Sequence, residues 1–250
     1  MTYCIGISLD AGLVLTSDSR TNAGIDHVSV YSKMHRCETT PDRCLVIMSA
    51  GNLATTQSVI QQVRRDVQEN RPRNINTLNY LADVAEYLGE VLVNRIRKHT
   101  EQTGFVPDAT LILGGQIQGR LPNLYMIYPQ GNYITSSTDT PYLQIGESKY
   151  GKPVLDRFIT RETSLEDAAI CSLISMDSTM KSNASVGPPI EVLIYPRDQF
   201  GTGVRHYKLD AENPYLLAIR HEWANQLNHA FRAMPRLESH MADTNSLYSI

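Results

Sequence analysis

Tyr3, Ile5, Ile7 and Leu9 alternate with Cys4, Gly6 and Ser8, and Asp10-Ala11-Gly12 breaks the pattern before Leu13-Val14-Leu15-Thr16. A period of two interrupted by turn-forming residues predicts a β-hairpin at the start of the chain. A second strand pair is predicted around Met34–Glu38 and Cys44–Met48, with Thr40-Pro41-Asp42-Arg43 as its turn. After Gly51 the period lengthens. Val59, Ile60, Val63 and Val67 fall on one helical face, with Thr55, Gln61, Arg65 and Asp66 away from it. Leu78, Leu81, Ala82, Ala85, Leu88, Leu92 and Ile96 repeat the signal, so two amphipathic helices are expected, joined through Asn70–Asn76.

Strands resume at Thr110–Leu113, Leu124–Tyr128 and Tyr133–Thr135, the last two separated by Gln130-Gly131-Asn132. Helices are predicted over about Tyr150–Ile159 and Ser164–Met180, and closing strands over Ile190–Tyr195 and Val204–Leu209. The order strands, two helices, strands, two helices, strands is segregated, which predicts α+β layers rather than alternating βαβ units. A last helix over Asn213–Met234 carries Leu216, Ile219, Trp223, Leu227, Ala230, Phe231 and Met234 on or near one stripe and stops at Pro235. That stripe must be buried on its own subunit or on a neighbour; a neighbour is the expected partner, with Trp223 and Phe231 as anchors. The polar tail from Arg236 to Ile250 is expected to be disordered or to order only against a neighbour. One domain over residues 1–212, followed by a helix and tail over 213–250, is the expected organisation.

Composition narrows the function classes. At 250 residues the chain can bury a sizeable core, and 42% apolar with 20% charged residues is ordinary for a globular protein. The net charge of −3 comes without any dense Lys/Arg block, so a nucleic-acid partner has no electrostatic footprint. The longest apolar runs fall far short of the roughly 18 residues that span a bilayer, and no signal-peptide core is seen; a cytoplasmic protein without a membrane partner is expected. The cysteines at 4, 37, 44 and 171 form no Cys-x-x-Cys pair and are expected to be reduced.

Thr2 changes the picture. Removal of Met1, usual before a small second residue, leaves a free α-amine and a hydroxyl on adjacent carbons. An α-amine has an ordinary pKa of about 7.7–8.0, so near neutrality part of it is unprotonated and can take the hydroxyl proton, directly or through a water. One residue then supplies nucleophile and base. The bland alternative is an ordinary strand-initiating threonine.

Downstream residues bear on that choice. Thr2 is followed by Ser17-Asp18-Ser19-Arg20, by Lys33, and by Ser49-Ala50-Gly51 after the apolar run Cys44–Met48. This order resembles the proteasome β subunits and their bacterial relatives, in which a mature N-terminal Thr precedes Asp-x-Arg, a Lys and an Ala-Gly before the first helix. Three later segments look like the Anbu family of bacterial proteasome-related proteins: Tyr128–Gly131, Gln144–Pro153 and Ser182–Pro189. The resemblance runs from Thr2 to about Tyr195, and a segment after Asn213 fits it too. It implies a four-layer αββα sandwich of the N-terminal-nucleophile hydrolase type and self-assembly into a ring or an open helical turn.

The resemblance also assigns roles. Thr2 is the expected nucleophile. An ammonium at Lys33 would lower the pKa of its hydroxyl, and Asp18 is the matching carboxylate, because a Lys charge taken out of water is costly unless paired. The alternative for both is a surface ion pair worth about 0–1 kcal/mol. Gly51, at a strand-to-helix junction, is the candidate oxyanion donor, against a plain turn glycine. Arg20 is expected to position the loop holding Asp18, and Ser49 and Leu53 match positions flanking the substrate-binding pocket. Two departures stand out. Gly146-Glu147-Ser148 puts a glutamate where the family has a supporting serine, which would alter the amine's pKa or the substrate charge tolerated. Asp177 matches the supporting aspartate imperfectly, since Met180-Lys181 stands where Ser-Gly is expected; Ser182 or Ser185 would then substitute.

Rival chemistries are weaker. His221-Glu222-Trp223-Ala224-Asn225 lacks the second histidine of the helical zinc-protease motif, and neither a Gly-x-Ser-x-Gly elbow nor a phosphate-binding Gly-Lys loop occurs. Proteasome α-type scaffold subunits carry a helix before the first strand, for which this chain has no room. The expected function is therefore a threonine-type peptidase, needing no metal or organic cofactor. An amidase acting on a small amide and a scaffold subunit with a vestigial site are the alternatives, and substrate, subunit number and any ATPase partner stay open.

Overall fold

The computed structural model describes residues 1–22, 28–37 and 40–236. The opening hairpin pairs β1 (Tyr3–Leu9) with β2 (Gly12–Asp18), in the register Cys4↔Ser17 to Leu9↔Gly12. Two short strands follow, β3 (Arg20–Asn22) and β4 (Val28–Val30), which pair only with each other. Next come β5 (Met34–Arg36), β6 (Arg43–Gly51), α1 (Leu53–Gln68) and α2 (Leu81–Thr103). The third block is β7 (Ala109–Ile117), β8 (Asn123–Ile127), β9 (Tyr133–Thr135) and β10 (Tyr142–Gly146). The chain closes with α3 (Lys152–Phe158), α4 (Leu165–Ser182), β11 (Ile190–Pro196), β12 (Arg205–Leu209) and α5 (Pro214–Arg232).

The strands form two antiparallel five-stranded sheets, ordered β10-β1-β2-β11-β12 and β5-β6-β7-β8-β9. Three apolar layers explain why. Tyr3, Ile5, Ile7 and Leu9 on one face of β1 pack with Leu155, Leu173 and Met176 of α3 and α4. Leu45, Ile47, Leu111 and Leu113 pack with Val59, Val63, Leu88 and Leu92 of α1 and α2. Between the sheets, Cys4, Leu13 and Leu15 meet Met48, Ile112 and Leu124. Each fully buried aliphatic side chain contributes about 1.5–3 kcal/mol, which is ample reason for both faces of each sheet to be covered. The result is the αββα sandwich.

Where the structure departs from the expected elements, local chemistry explains it. The alternation in β1 reads as half-buried, yet every residue of β1 is buried, because helices and a second sheet enclose it. Thr55, expected on the outer face of α1, is buried: its amide and hydroxyl bond the N-cap Asn52, and its hydroxyl meets His99 Nδ1 at 2.8 Å. β3, β4 and β10 have no counterpart among the expected strands; β10 is short, follows Pro141 and ends in Gly146. β5 ends at Arg36, and Glu38 and the tail beyond Arg236 lie outside the described residues.

The last helix is split in its packing. Leu216 is fully buried, Ile219 packs on the same cluster, and Trp223 sits edge-on to Phe158 at 6.3 Å. This face therefore lies on its own subunit, whereas a neighbour was the expected partner for the whole stripe. Leu217, Leu227, Phe231 and Met234 remain exposed. No helix among the described residues is long and apolar enough to cross a membrane. The cysteines form no disulfide; burial pushes the Cys37 and Cys171 thiols up to about 12 and raises that of Cys4 as well.

Candidate active site

The hairpin register sets the Tyr3 end of β1 against Asp18 at the end of β2, and β11 begins opposite the same residue, in the pairing Ile190↔Asp18. Asp18 is fully buried at this junction. Its Oδ1 accepts the Tyr3 amide at 3.0 Å, the N–H of the peptide that joins Thr2 to Tyr3, and also the Lys33 ammonium at 2.7 Å. Its Oδ2 accepts the Gly187 amide at 3.3 Å. Burial is the largest influence on this carboxyl and raises it above its ordinary value, opposed by Lys33 and the two amides. Lys33 has a side chain only 6% exposed and donates a second bond to the Arg20 carbonyl at 2.6 Å. A surface ion pair is thereby ruled out for Asp18 and Lys33.

Arg20 ties the loop after β2 to the loop before β11. Its guanidinium donates to the Ala184 carbonyl at 2.7 Å, and the Gly187 carbonyl accepts the amides of Ser19 and Arg20. Beneath this, Ser19 donates to buried Glu191, which His206 also reaches at 3.1 Å. Burial raises the Glu191 carboxyl, but the donors His206, Ser32 and Ser19 outweigh it and hold the group below its ordinary value.

The second sheet reaches the same end of the sandwich. Ser49 of β6 is buried; its amide donates to the Lys33 carbonyl at 3.0 Å and its carbonyl accepts the Cys4 thiol at 3.8 Å. Gly51 closes β6 with φ 107, and a Cβ there would stand 2.2 Å from the Asp108 carbonyl oxygen, so no other residue fits. Asn52 then caps α1, and Leu53, its first residue, is half-buried.

Thr2 is itself buried, with Met1 largely exposed before it. Across β10, the Glu147 amide donates to the Thr2 carbonyl at 2.7 Å. This approach needs Gly146, whose φ is 83 and whose missing Cβ would lie 1.9 Å from that carbonyl oxygen. The Glu147 side chain is buried, its Oε2 accepting Asn183 Nδ2 at 3.0 Å. Asn183 and Gly187, both within Ser182–Pro189, are contributors that the residue pattern alone did not single out. Their partners lie far away in sequence, and only the closed sandwich brings them together.

Asp177 is arranged differently. It is buried on α4, but Arg220 of α5 donates to its Oδ1 at 2.7 Å and Lys181 stands 3.3 Å from its Oδ2. The structure thus brings Asp18, Lys33 and Ser49 to the start of β1 and commits Asp177 to a contact between helices. Among the described residues no three His, Cys, Asp or Glu side chains gather as a metal site.

Two antiparallel sheets packed face to face between helix pairs, with a buried Asp–Lys pair at the first residues of the first strand, define the proteasome-like class of N-terminal-nucleophile folds. The chain belongs to the proteasome subunit family, whose match covers residues 2–195. Its structural neighbours are Anbu proteins. Anbu (ancestral beta-subunit) from Yersinia bercovieri is 44% identical, with a TM-score of 0.89 over 94% of this chain and 98% of that one. The Anbu complex from Pseudomonas aeruginosa, described as a helical assembly, is 40% identical, with a TM-score of 0.88 over 94% and 97%. Proteasome subunit alpha from Haloquadratum walsbyi is 28% identical over 66% of this chain, which spans 62% of that relative's length. Family and fold together support a proteasome β-like peptidase family.

Proposed function

We propose that this protein is a threonine-type N-terminal-nucleophile hydrolase that cleaves amide bonds, in peptides, after Met1 has been removed. The observation that carries the reading is the shared Asp18 oxygen, which holds the Thr2–Tyr3 peptide N–H and the Lys33 ammonium at once in a water-poor setting. Lys33 lowers the pKa of the Thr2 hydroxyl through its charge, and Asp18 keeps that charge in place. Thr2 Oγ attacks the substrate carbonyl carbon while the α-amine takes the hydroxyl proton. The Gly51 N–H stabilises the oxyanion, and the protonated amine returns the proton to the leaving amine as the C–N bond breaks. Water, deprotonated by the same amine, then hydrolyses the ester. Ser49 and Leu53 flank the bound substrate. Asp177 serves this site only by bracing α4 against α5. No step requires a metal or an organic cofactor.

Self-assembly of identical chains belongs to the same proposal. It is supported by the helical assembly named for the Pseudomonas aeruginosa neighbour and by the exposed apolar side of α5. The domain is assigned to residues 1–212, with 213–250 as an appended segment.

The test combines intact mass with turnover. The active protein should lack Met1, since an acylated nitrogen is not basic, and Thr2→Ala should abolish hydrolysis of fluorogenic peptides while leaving oligomer size unchanged. Wild-type turnover in Thr2→Ala, or Met1 retained in an active preparation, would sink the mechanism. Hydrolysis of small amides but not peptides would redirect the substrate assignment.

A further inference from the structure

Glu147 holds a buried carboxyl group with few partners among the described residues. Its side chain is 6% exposed; among the described residues it accepts a hydrogen bond from neutral Asn183, and the cation paired with it is Lys149 Nζ, 3.9 Å away on a side chain 78% exposed. A buried carboxylate ordinarily requires a close cation or several donors, and a long, solvent-screened pair supplies little of either. Two other buried carboxylates at this end of the sandwich have partners of their own. Lys33 is taken by Asp18 at 2.7 Å, and Glu191, behind Ser19, is taken by His206.

One cation is missing while Met1 is attached: the ammonium of Thr2. The 2.7 Å bond from the Glu147 amide to the Thr2 carbonyl continues the register Tyr3↔Gly146, so Thr2 and Glu147 stand opposite each other. That bond sets Glu147 directly beside Thr2, and a glutamate side chain is long enough to reach a group on the adjacent residue. Resting on the nucleophile assignment above, we propose that Glu147 is the charge partner of the Thr2 α-ammonium once Met1 is removed. It is a positioning residue that holds the amine beside the Thr2 hydroxyl and sets the pH at which the amine becomes a base. Asn183, at the C-terminal end of α4, orients the carboxylate.

The sign follows from the charges. A carboxylate favours the ammonium and raises its pKa, whereas the Lys33 charge, largely neutralised by Asp18, opposes this weakly. Turnover that needs the free amine therefore rises with pH through a midpoint that Glu147 displaces upward.

The experiment titrates the Thr2 methyl resonance by NMR in threonine-methyl-labelled protein whose mass shows Thr2 at the N-terminus, alongside the pH profile of peptide hydrolysis. Glu147→Gln should lower the amine midpoint by about one unit, giving roughly tenfold more free amine at a pH below it, and the acid limb of turnover should move with it. Glu147→Asp, which withdraws the charge by one methylene, should lower it by less. An unmoved midpoint in whichever variant folds overturns the proposal. The titration reads the amine rather than the reaction, so it separates the two assignments. An unmoved midpoint with Thr2-dependent turnover removes Glu147 and keeps the nucleophile. A Glu147-dependent midpoint with turnover that survives Thr2→Ala keeps the pairing and removes the nucleophile.

Discussion

Asp18 and Asp177 are both buried to within 1% exposure, and both face cations, yet the two settings are unlike. Asp18 takes two main-chain amides from segments far apart in sequence and one lysine that is also buried. Asp177 takes two side chains, Arg220 of α5 at 35% exposure and Lys181, one turn further along its own helix, at 52%. Burial of a carboxylate is thus no mark of chemistry. What distinguishes Asp18 is that its donors fix the backbone at which Thr2 begins, and that its cation has been taken out of water with it.

Removing the cation from each pair separates the two roles. Lys33→Ala should reduce kcat on the order of 10²-fold or more, with oligomer size unchanged, because activation of the hydroxyl is lost. A rate within a few-fold of wild type would place Lys33 in structural support alone. Asp18→Asn should cost a similar factor and also change the pH profile. Since burial raises the Asp18 carboxyl, acidification protonates it and breaks the pair at a higher pH than for an ordinary aspartate. The Lys33-dependent part of the rate is present above that pH and lost below it, and this limb should vanish in the variant. A profile identical to wild type would contradict it.

Arg220→Ala should do the reverse, costing about 1–3 kcal/mol in denaturant unfolding because it leaves Asp177 with only the exposed Lys181, while kcat changes by less than about threefold. A large loss of kcat without loss of stability would return Asp177 to the catalytic group. The smallest effect on the fold is expected on the far side of the same helix. Phe231→Asp should leave unfolding nearly unchanged, yet lower the oligomer mass seen by light scattering. An unaltered mass would show that this side of α5 is no interface.

The same contrast explains what was legible in the residues. Thr2, Asp18 and Lys33 could be read because a local hairpin brings the first two together and strand ends limit where the chain can turn. The three-layer core could be read because its periods of two and 3.6 are unmixed in β1, α1 and α2, and because β6 is a continuous apolar run. Asp177 stands apart because its carboxylate is held by α5, an element outside the pattern that suggested it. Gly187 and Asn183 could not be matched to partners, since Asp18 and Glu147 reach them only across the closed sheet. β10 escaped detection because five residues that follow a proline and end in a glycine carry too short a period to stand out.

The buried thiols have a practical bearing on reagents. Cys4 lies two residues from Thr2, but its sulfur is enclosed and its ionisation, like that of Cys37 and Cys171, is pushed far above neutrality. Thiolate, not thiol, is what electrophiles capture. A warhead designed for a hydroxyl nucleophile can therefore be applied near pH 7 with little background from these three sulfurs, which narrows the sources of a mass increment on the intact chain.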